Sequence, residues 1–534
     1  MADKKNLNRR DFLRLSGVVA AGAVASACAP QEVVKEVTVE VEKEVTVEKE
    51  VEVPVEKEVV KEVEKEVVVT ATPQPGGPWE LIDWNKPVPM TDRLLADEYI
   101  LPEGWDKATE GVEQLTFFNA GGLSGDIATA TNMALFERKT DIKLNALEVG
   151  SAYTFPKFLS VVTSQDPSVD FGFLRAETEY AQVASAGWAH PVDELWPPDV
   201  QALYSPGLIE AMNWKDHFYA TVNTVQWYVF YYRPSWLEAA GVEEVPETWE
   251  DIYAAAIKCR EYAKANLGED SYGLTFGVSK SGQIHIAFLS ALTYSQGVGL
   301  LKDGKWNLET PEFRNAWNYL VGAIRDDIAD VACLGYGWDE YQTAFGAGKA
   351  AMTLGYSVMA IQFDQEFPEI TGDWVATPPP KYDASQPDSN RVGYINFDEF
   401  AINNYAEDKQ KAAAMLYFDY MRSKEACMYE LLVEGNDSLL PDVYEDPDIV
   451  EKVDWDFANT VAAEIGAKEV VKQGTTIPDV RAASAKTARM EALPPGATLA
   501  ADILAEHMGI AVQEDMDPNE VLDEALAQIS ESQI

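Results

Sequence analysis

Between Gln114 and Leu174 the chain repeats one unit, a short apolar strand followed by a helix. That repeat restricts the fold more than any other feature of the sequence. Gln114-Leu115-Thr116-Phe117-Phe118 reads as a strand that ends in the loop Asn119-Ala120-Gly121-Gly122-Leu123-Ser124-Gly125-Asp126. Apolar residues at helical spacing predict a helix through Met133-Ala134-Leu135-Phe136. Residues 142–147 alternate like a strand, a helix carrying Phe158, Leu159, Val161 and Val162 follows, and 169–174 reads as a third strand. Strands joined by crossover helices pair in parallel, so this order predicts an α/β fold with a parallel sheet covered by helices. Ligands of such sheets bind beyond the strand C-termini. The loops at 119–126 and 175–177 therefore nominate Asn119, Gly121, Gly122, Arg175 and Glu177. Glycines there let backbone approach a ligand closely, although an ordinary turn uses the same residues. Arg175 and Glu177 serve equally well as a neighbouring salt bridge.

The N-terminal stretch reads differently. Asn8-Arg9-Arg10-Asp11-Phe12-Leu13-Arg14 precedes an apolar run that ends at Ala25-Ser26-Ala27-Cys28. A basic start followed by a short apolar segment is an export signal. The paired arginines with Phe12 and Leu13 resemble a twin-arginine motif, and the last four residues resemble a lipoprotein cleavage box with Cys28 as the lipidated residue. From 33 to 69 the chain is nearly all Val, Glu and Lys, with Lys-Glu-Val recurring at Lys35, Lys43, Lys49, Lys57, Lys61 and Lys65. Valine is a poor helix former and Pro54 interrupts the stretch, so an extended stalk is expected, with a coiled coil as the alternative. Thr72-Pro73-Gln74-Pro75-Gly76-Gly77-Pro78 reads as a hinge to the folded part. The expected organisation is 1–27 twin-arginine-type lipoprotein signal peptide, 28–78 lipid-anchored stalk, 79–111 strap, and 112–534 main body.

Composition excludes several function classes. With 89 acidic against 42 basic residues, the net charge of −47 repels phosphate backbones, so no nucleic-acid partner is expected. Once Cys28 carries lipid, Cys259, Cys333 and Cys427 are an odd set that cannot complete a disulfide framework. There is no CxxC, no HExxH and no GxSxG, and His190, His217, His285 and His507 are isolated. Gly346-Ala347-Gly348-Lys349 lacks the earlier glycine and the Ser/Thr of a phosphate loop. No catalytic residue, metal site or cofactor is nominated. A pair of carboxylates suited to a glycosidase stays open, because so many acids guarantee chance pairs.

Six fragments then fall in one order. Residues 136–144 cover a helix-to-strand passage, and Asp166-Pro167-Ser168-Val169-Asp170-Phe171 enters the third strand. His217-Phe218-Tyr219-Ala220 through Phe230-Tyr231-Tyr232-Arg233 forms a long apolar passage, and Pro246-Glu247-Thr248-Trp249-Glu250-Asp251 reads as a helix start. Phe345-Gly346-Ala347-Gly348-Lys349-Ala350-Ala351-Met352 and the terminal stretch 517–529 complete the set. Together they resemble the family 1 extracellular solute-binding proteins, the carbohydrate-type receptors of ABC importers that include maltose-binding proteins. Ala220, Val222 and Arg233 stand where that family usually has Gly, Pro and Asn.

The resemblance implies a two-lobed periplasmic-binding-protein fold of type II with the ligand cleft between lobes. Lobe 1 is expected at about 112–222 and 374–440, and lobe 2 at about 223–373 and 441–534. The chain would cross near 220–226 and return at 392–404, with the C-terminal helices on lobe 2. Gln226 and Trp227 would then line the cleft from the first crossing, and Tyr394, Asn396 and Asp398 from the second. Tyr356 falls where the family often has a ligand-stacking Trp; Tyr356 and Trp227 serve equally as core. Trp338 and Tyr294 are weaker aromatic candidates. The function implied is a tethered, monomeric, non-enzymatic receptor that passes a sugar or polyol to ABC permease subunits. A surface glycoside-processing enzyme and a receptor for an oligopeptide or polyamine are the alternatives. Asp126, Glu177, Asp398 and Glu399 would suit a cation, and Arg175 an anion.

Overall fold

A computed structural model describes residues 76–532 except 177–178, 281–283, 388–389, 471, 473 and 475. The leader, Cys28, the stalk up to residue 75 and Glu177 lie outside the described residues. The first three strands form where the alternation predicts them: β1 (Gln114–Ala120), β2 (Lys143–Val149) and β3 (Phe171–Arg175). β1 pairs in parallel with β2, Phe117 opposite Ala146, and with β3, Phe117 opposite Phe171. The crossovers are the helices Ile127–Thr140 and Ser151–Thr163. The first begins where the Asp126 carboxylate accepts the Thr129 N–H at 3.2 Å, and it stops at Asp141 in the left-handed region, φ 60°. The second lies so close to β3 that a Cβ on Gly172 would stand 2.4 Å from the Phe158 ring. Only glycine fits that strand position.

β4 (Ala220–Tyr232) is 13 residues long, about 43 Å at the usual strand rise. It is followed by β5 (Tyr272–Thr275), β6 (Leu301–Lys302), β7 (Lys305–Trp306), β8 (Ala350–Tyr356), β9 (Val375–Thr377) and β10 (Ile395–Ile402). The main path runs β2-β1-β3-β10-β4-β8-β5, with β9 also on β4, while β6 and β7 make a separate hairpin. Residues 220–227 of β4 pair antiparallel with β10, and Tyr228 to Tyr232 pair antiparallel with β8 and β9. One strand thus serves two sheets, and its partners change between Trp227 and Tyr228, just beyond the crossing expected from sequence. Opposite Asp398 and Glu399 the register jumps from Thr224 to Val222, leaving Asn223 as a bulge that bends the shared strand.

Beyond β4 the helix Trp249–Asn266 begins with a capping box, Thr248 Oγ1 accepting the Asp251 N–H and Asp251 accepting the Thr248 N–H, both at 3.1 Å. The terminal helices Ala497–Gln513 and Pro518–Glu531 pack on the helix Pro311–Arg325, where the Trp317 indole donates to Pro518 O at 2.9 Å. The helix Trp455–Glu464 departs from the expected partition. It packs on Ile127–Thr140, with the Arg138 guanidinium 4.5 Å from the Phe457 ring centre, and so sits with the first sheet. Cys259, Cys333 and Cys427 are buried free thiols, pushed by burial to about 12, about 12 and about 11, which leaves them unreactive at neutral pH.

The strap is fixed by charge as well as by its tryptophans. Arg93 is fully buried and donates to Asp419 and to Trp84 O, while Arg422, also buried, donates to the other Asp419 oxygen at 2.6 Å. Tyr99 OH adds a third bond to the same carboxylate. Removing Asp419 would leave two buried guanidiniums facing each other. Asp419→Ala is therefore expected to lower unfolding stability by about 3–5 kcal/mol in urea titrations, and a loss under about 1 kcal/mol would show that the strap is held by its tryptophans alone.

Candidate ligand-binding site

Strand direction decides where a site can form. β3 and β4 are both antiparallel to β10, so β4 runs with β1, β2 and β3. Their C-terminal ends and the N-terminal end of β10 share one edge. In the second sheet β8 runs against β4 and β5 runs with β8, so their C-terminal ends return to the same stretch, Tyr356 opposite Tyr228. The C-terminal edges of both sheets meet along 226–228.

Gln226 and Asn396 lie opposite each other at this meeting, half-buried, with Asn396 Nδ2 donating to Gln226 Oε1 at 3.3 Å. Gln226 Nε2 donates to Asn436 Oδ1 at 3.0 Å, and Asn436 Nδ2 donates to Glu430 at 3.0 Å. Asp398, half-buried, accepts from Thr224 Oγ1 at 3.4 Å and lies opposite Arg175 on β3. Arg175 is paired with Glu179 at 3.5 Å, and its backbone N–H donates to the same carboxylate at 2.8 Å. Asn119 is 1% exposed at the end of β1, and its Nδ2 has no hydrogen-bond partner among the described residues. Gly121, at φ +87°, donates its N–H to Val149 O at 2.7 Å, and Gly122 lies beside Glu148.

The aromatic candidates are placed otherwise. Trp227 is fully buried, its indole donating to Tyr444 OH at 3.1 Å. Tyr356 is 3% exposed and packs edge-on against Tyr228 at 4.4 Å, and Tyr394 meets the same ring at 5.7 Å. These rings belong to the core beneath the seam, because a strand buried on both faces sends every side chain into protein. Tyr294 and Glu399 are buried too, and the Trp338 side chain lies outside what is described.

Sequence reasoning missed the segment around Glu430, Glu434 and Asn436 and the pair Asp437–Arg481. Gly435, at φ +85°, was the one local signal of a tight turn there. Glu430 accepts from Asn132 and Asn436, and Glu434 accepts the Ile127 N–H at 3.0 Å at the start of the helix Ile127–Thr140. Burial pushes these carboxyls upward, and the nearby Asp126 pushes them further: Glu430 well above its usual range, Glu434 to about 8. Burial also raises Asp126 itself, Glu179 to about 7 and Asp398 to about 6, with Arg175 pulling the last two back.

Two outcomes are expected. Tyr356→Ala should destabilise the ligand-free protein by about 3–5 kcal/mol, as for other large core aromatics, and an unchanged melting temperature would return Tyr356 to the cleft. Glu434 binds its proton more tightly folded than unfolded. Its stabilisation is therefore complete below the ordinary glutamate range, near 4.5, and is lost as pH rises through about 8. Glu434→Gln keeps the acceptor for Ile127, so unfolding midpoints from about pH 5 to about pH 8 should fall less than in the parent. An identical slope would remove Glu434 from the pH dependence.

A binding protein of Brucella abortus is 23% identical over 236 residues, 44% of this chain and 53% of its own length. An ABC transporter extracellular-binding protein of Pyrococcus horikoshii is 21% identical over 254 residues, 46% of this chain and 56% of its own. The chain thus spans little more than half the length of these relatives. Among solved structures, a maltose-bound MalE3 of Thermotoga maritima is 15% identical with a TM-score of 0.58, covering 78% of this chain and 99% of that one. A solute-binding protein of Agrobacterium radiobacter in complex with ribitol is 20% identical with a TM-score of 0.59, covering 79% and 98%. A cyclic alpha-maltosyl-1,6-maltose binding protein of Arthrobacter globiformis is 14% identical with a TM-score of 0.60, covering 78% and 97%. These likenesses establish the two-lobed fold. Residues 122–427, more than half of the chain, match the model of one protein family, and this protein belongs to that family, the bacterial extracellular solute-binding proteins.

Proposed function

We propose that the protein is a membrane-tethered, extracytoplasmic receptor that binds a carbohydrate or related polyol between its lobes and delivers it to the permease subunits of an ABC importer. The observation that carries this reading is the convergence of two sheet edges on β4, with Gln226, Asn396 and Asp398 half-buried at the meeting. Side-chain amides offer a donor and an acceptor in one plane, which suits a rim of hydroxyls. The maltose and ribitol bound by two proteins of the same fold, and the cyclic alpha-maltosyl-1,6-maltose for which a third is named, support a polyhydroxylated ligand. In this proposal β1, β2, β3, β10 and the first half of β4 form lobe 1. The second half of β4 with β5, β8, β9 and the two terminal helices forms lobe 2. Lipidation at Cys28 and the Val/Glu/Lys stalk tether the monomer, and it works without a cofactor.

A ligand that touches both lobes favours the closed state by its extra contacts there. Saturation with a panel of sugars and polyols, followed by small-angle scattering, is expected to reduce the radius of gyration for those that bind in calorimetry. Asn396→Ala should weaken the same ligands by about 1–3 kcal/mol, the cost of an unpaired hydroxyl in a desolvated site. Turnover of a bound glycoside would identify an enzyme instead, and binding confined to peptides or polyamines would overturn the carbohydrate reading.

A further inference from the structure

The amides at the seam are wired to a buried acid. Asn396 Nδ2 donates to Gln226 Oε1 at 3.3 Å, Gln226 Nε2 to Asn436 Oδ1 at 3.0 Å, and Asn436 Nδ2 to Glu430 Oε2 at 3.0 Å. The first two side chains are half-buried, whereas Asn436 and Glu430 are each 5% exposed. Backbone geometry brings the last pair together. Residues Glu430–Glu434 make one π-helical turn, a rare form found often at functional sites, and Gly435 at φ +85° ends it. Asn436 N–H then donates to Glu430 O at 3.1 Å, which carries the Asn436 side chain back to the Glu430 carboxylate.

Each amide in this row turns its nitrogen toward Glu430, and the reason lies at the buried end. Beyond the carboxylate, Asn132 Nδ2 donates to Glu430 Oε1 at 3.1 Å and to Ala426 O at 3.4 Å, while Asn132 Oδ1 accepts from Tyr420 OH at 3.1 Å. A carbonyl oxygen only accepts, so Ala426 keeps Asn132 from turning over. An ionised Glu430 also only accepts, so it must meet the Asn436 nitrogen, and each amide outward follows suit. A proton on Glu430 reverses the row. Oε1 still has to accept from Asn132, so the proton sits on Oε2 and is donated to Asn436. Asn436 must then turn its oxygen inward, Gln226 and Asn396 turn after it, and Asn396 is left with two free N–H groups instead of a free carbonyl. We propose that Glu430 is a positioning residue of the binding site, whose proton sets the direction of hydrogen bonding through Asn436, Gln226 and Asn396 and so decides whether Asn396 offers a ligand an acceptor or donors. For ligand binding the inference rests on the receptor reading above. Burial and the charges of Asp126 and Glu434 favour the protonated form, and the amides of Asn436 and Asn132 favour the ionised one. The other titratable groups facing Glu430 are Tyr417 and Tyr420 on the helix Asp408–Met421 and Cys427 on the helix Lys424–Tyr429. Arg481, the nearby cation, is held by Asp437 and by the Gly435 and Asn436 carbonyls.

The first arm of the test needs no ligand. Side-chain amide NMR of the full mature chain, labelled at Asn and Gln, is followed from about pH 5 to about pH 10. The Asn436, Gln226 and Asn396 signals are expected to shift together, with one midpoint above the ordinary glutamate range. Glu430→Gln is nearly isosteric and places a permanent N–H against Asn436, since Asn132 claims the oxygen of the new amide. It should hold the three signals near the parent's low-pH positions throughout. Glu434→Gln removes a negative neighbour, so the shared midpoint should fall while the three signals stay in step. Signals that titrate separately, do not titrate, or still titrate in Glu430→Gln would overturn the relay and leave the carbohydrate reading intact. The second arm is calorimetry with maltose, ribitol and the wider panel of sugars and polyols. For members that bind the parent, affinity should change by about 2- to 10-fold across that midpoint, the range for one neutral hydrogen bond, and Glu430→Gln should abolish this step. Affinity that ignores the midpoint would overturn the positioning role. A panel with no binder would overturn the carbohydrate reading and the positioning role that rests on it.

Discussion

Asp437 holds the place where one sheet gives way to the next. A strand shared by two sheets changes partners midway, and backbone groups at the change lose their ladder bonds unless something else satisfies them. Trp227 N–H goes to the Asp437 carboxylate at 2.7 Å, Trp227 O accepts the Ser357 N–H at 2.9 Å, and Tyr228 N–H goes to Tyr394 O at 3.1 Å. The same carboxylate accepts from Ser357 Oγ, from Tyr444 OH at 2.9 Å and from Arg481 at 2.8 Å. Arg481 in turn donates to the carbonyls of Ser357, Gly435, Asn436 and Thr476, and both side chains of the pair are fully buried. Such a pair adds little net stability over apolar packing, because desolvation offsets the Coulomb gain. Its contribution is geometric. It fixes the end of β8, the middle of β4, the 435–438 turn and the helix Pro478–Thr487 about one point, so that the C-terminal edges of the two sheets meet in register.

What could be read in advance follows from the range of each signal. β1, β2 and β3 were legible because their alternation with helices and their glycine-rich ends are local. The start of the helix at Trp249 was legible because Thr248 and Asp251 are three residues apart. β4 was harder: it is apolar almost throughout, so periodicity does not say which way Trp227 or Tyr228 points. The rings chosen as platforms are therefore core, whereas the amides Gln226 and Asn396 stay half-buried where the two sheets meet. Asp437 and Arg481 come together across a long sequence separation with no local pattern. The carboxylates of Glu430 and Glu434 could not be told apart from the other acids of a chain that has 89 of them. Arg93 illustrates the same limit, since residue type predicts exposure for an arginine and only its partner Asp419, far along the chain, reverses that.

The charge pattern at the seam bears on what the cleft can hold. Both Glu430 oxygens are taken by Asn132 and Asn436, Glu434 accepts the Ile127 N–H, and Asp126 accepts the Thr129 N–H. These acids serve the start of the helix Ile127–Thr140 and the amide network. Burial raises the proton affinity of all three, and Glu430, well above its usual range, and Glu434, at about 8, act near neutral pH less as fixed charges than as hydrogen-bonding groups. Arg175, which lies opposite Asp398 across the β3–β10 pair, is engaged with Glu179. A cationic ligand would need ionised oxygens still uncommitted, and an anion would need to take Arg175 from its partner. A neutral polyhydroxylated solute needs neither. Gln226 and Asn396 can exchange their mutual bond for bonds to hydroxyls at little electrostatic cost, and Asp398 can accept one more. A chain with a net charge of −47 and the neutral, amide-lined site proposed above are thus compatible, because burial separates the electrostatics of the seam from those of the solvated exterior.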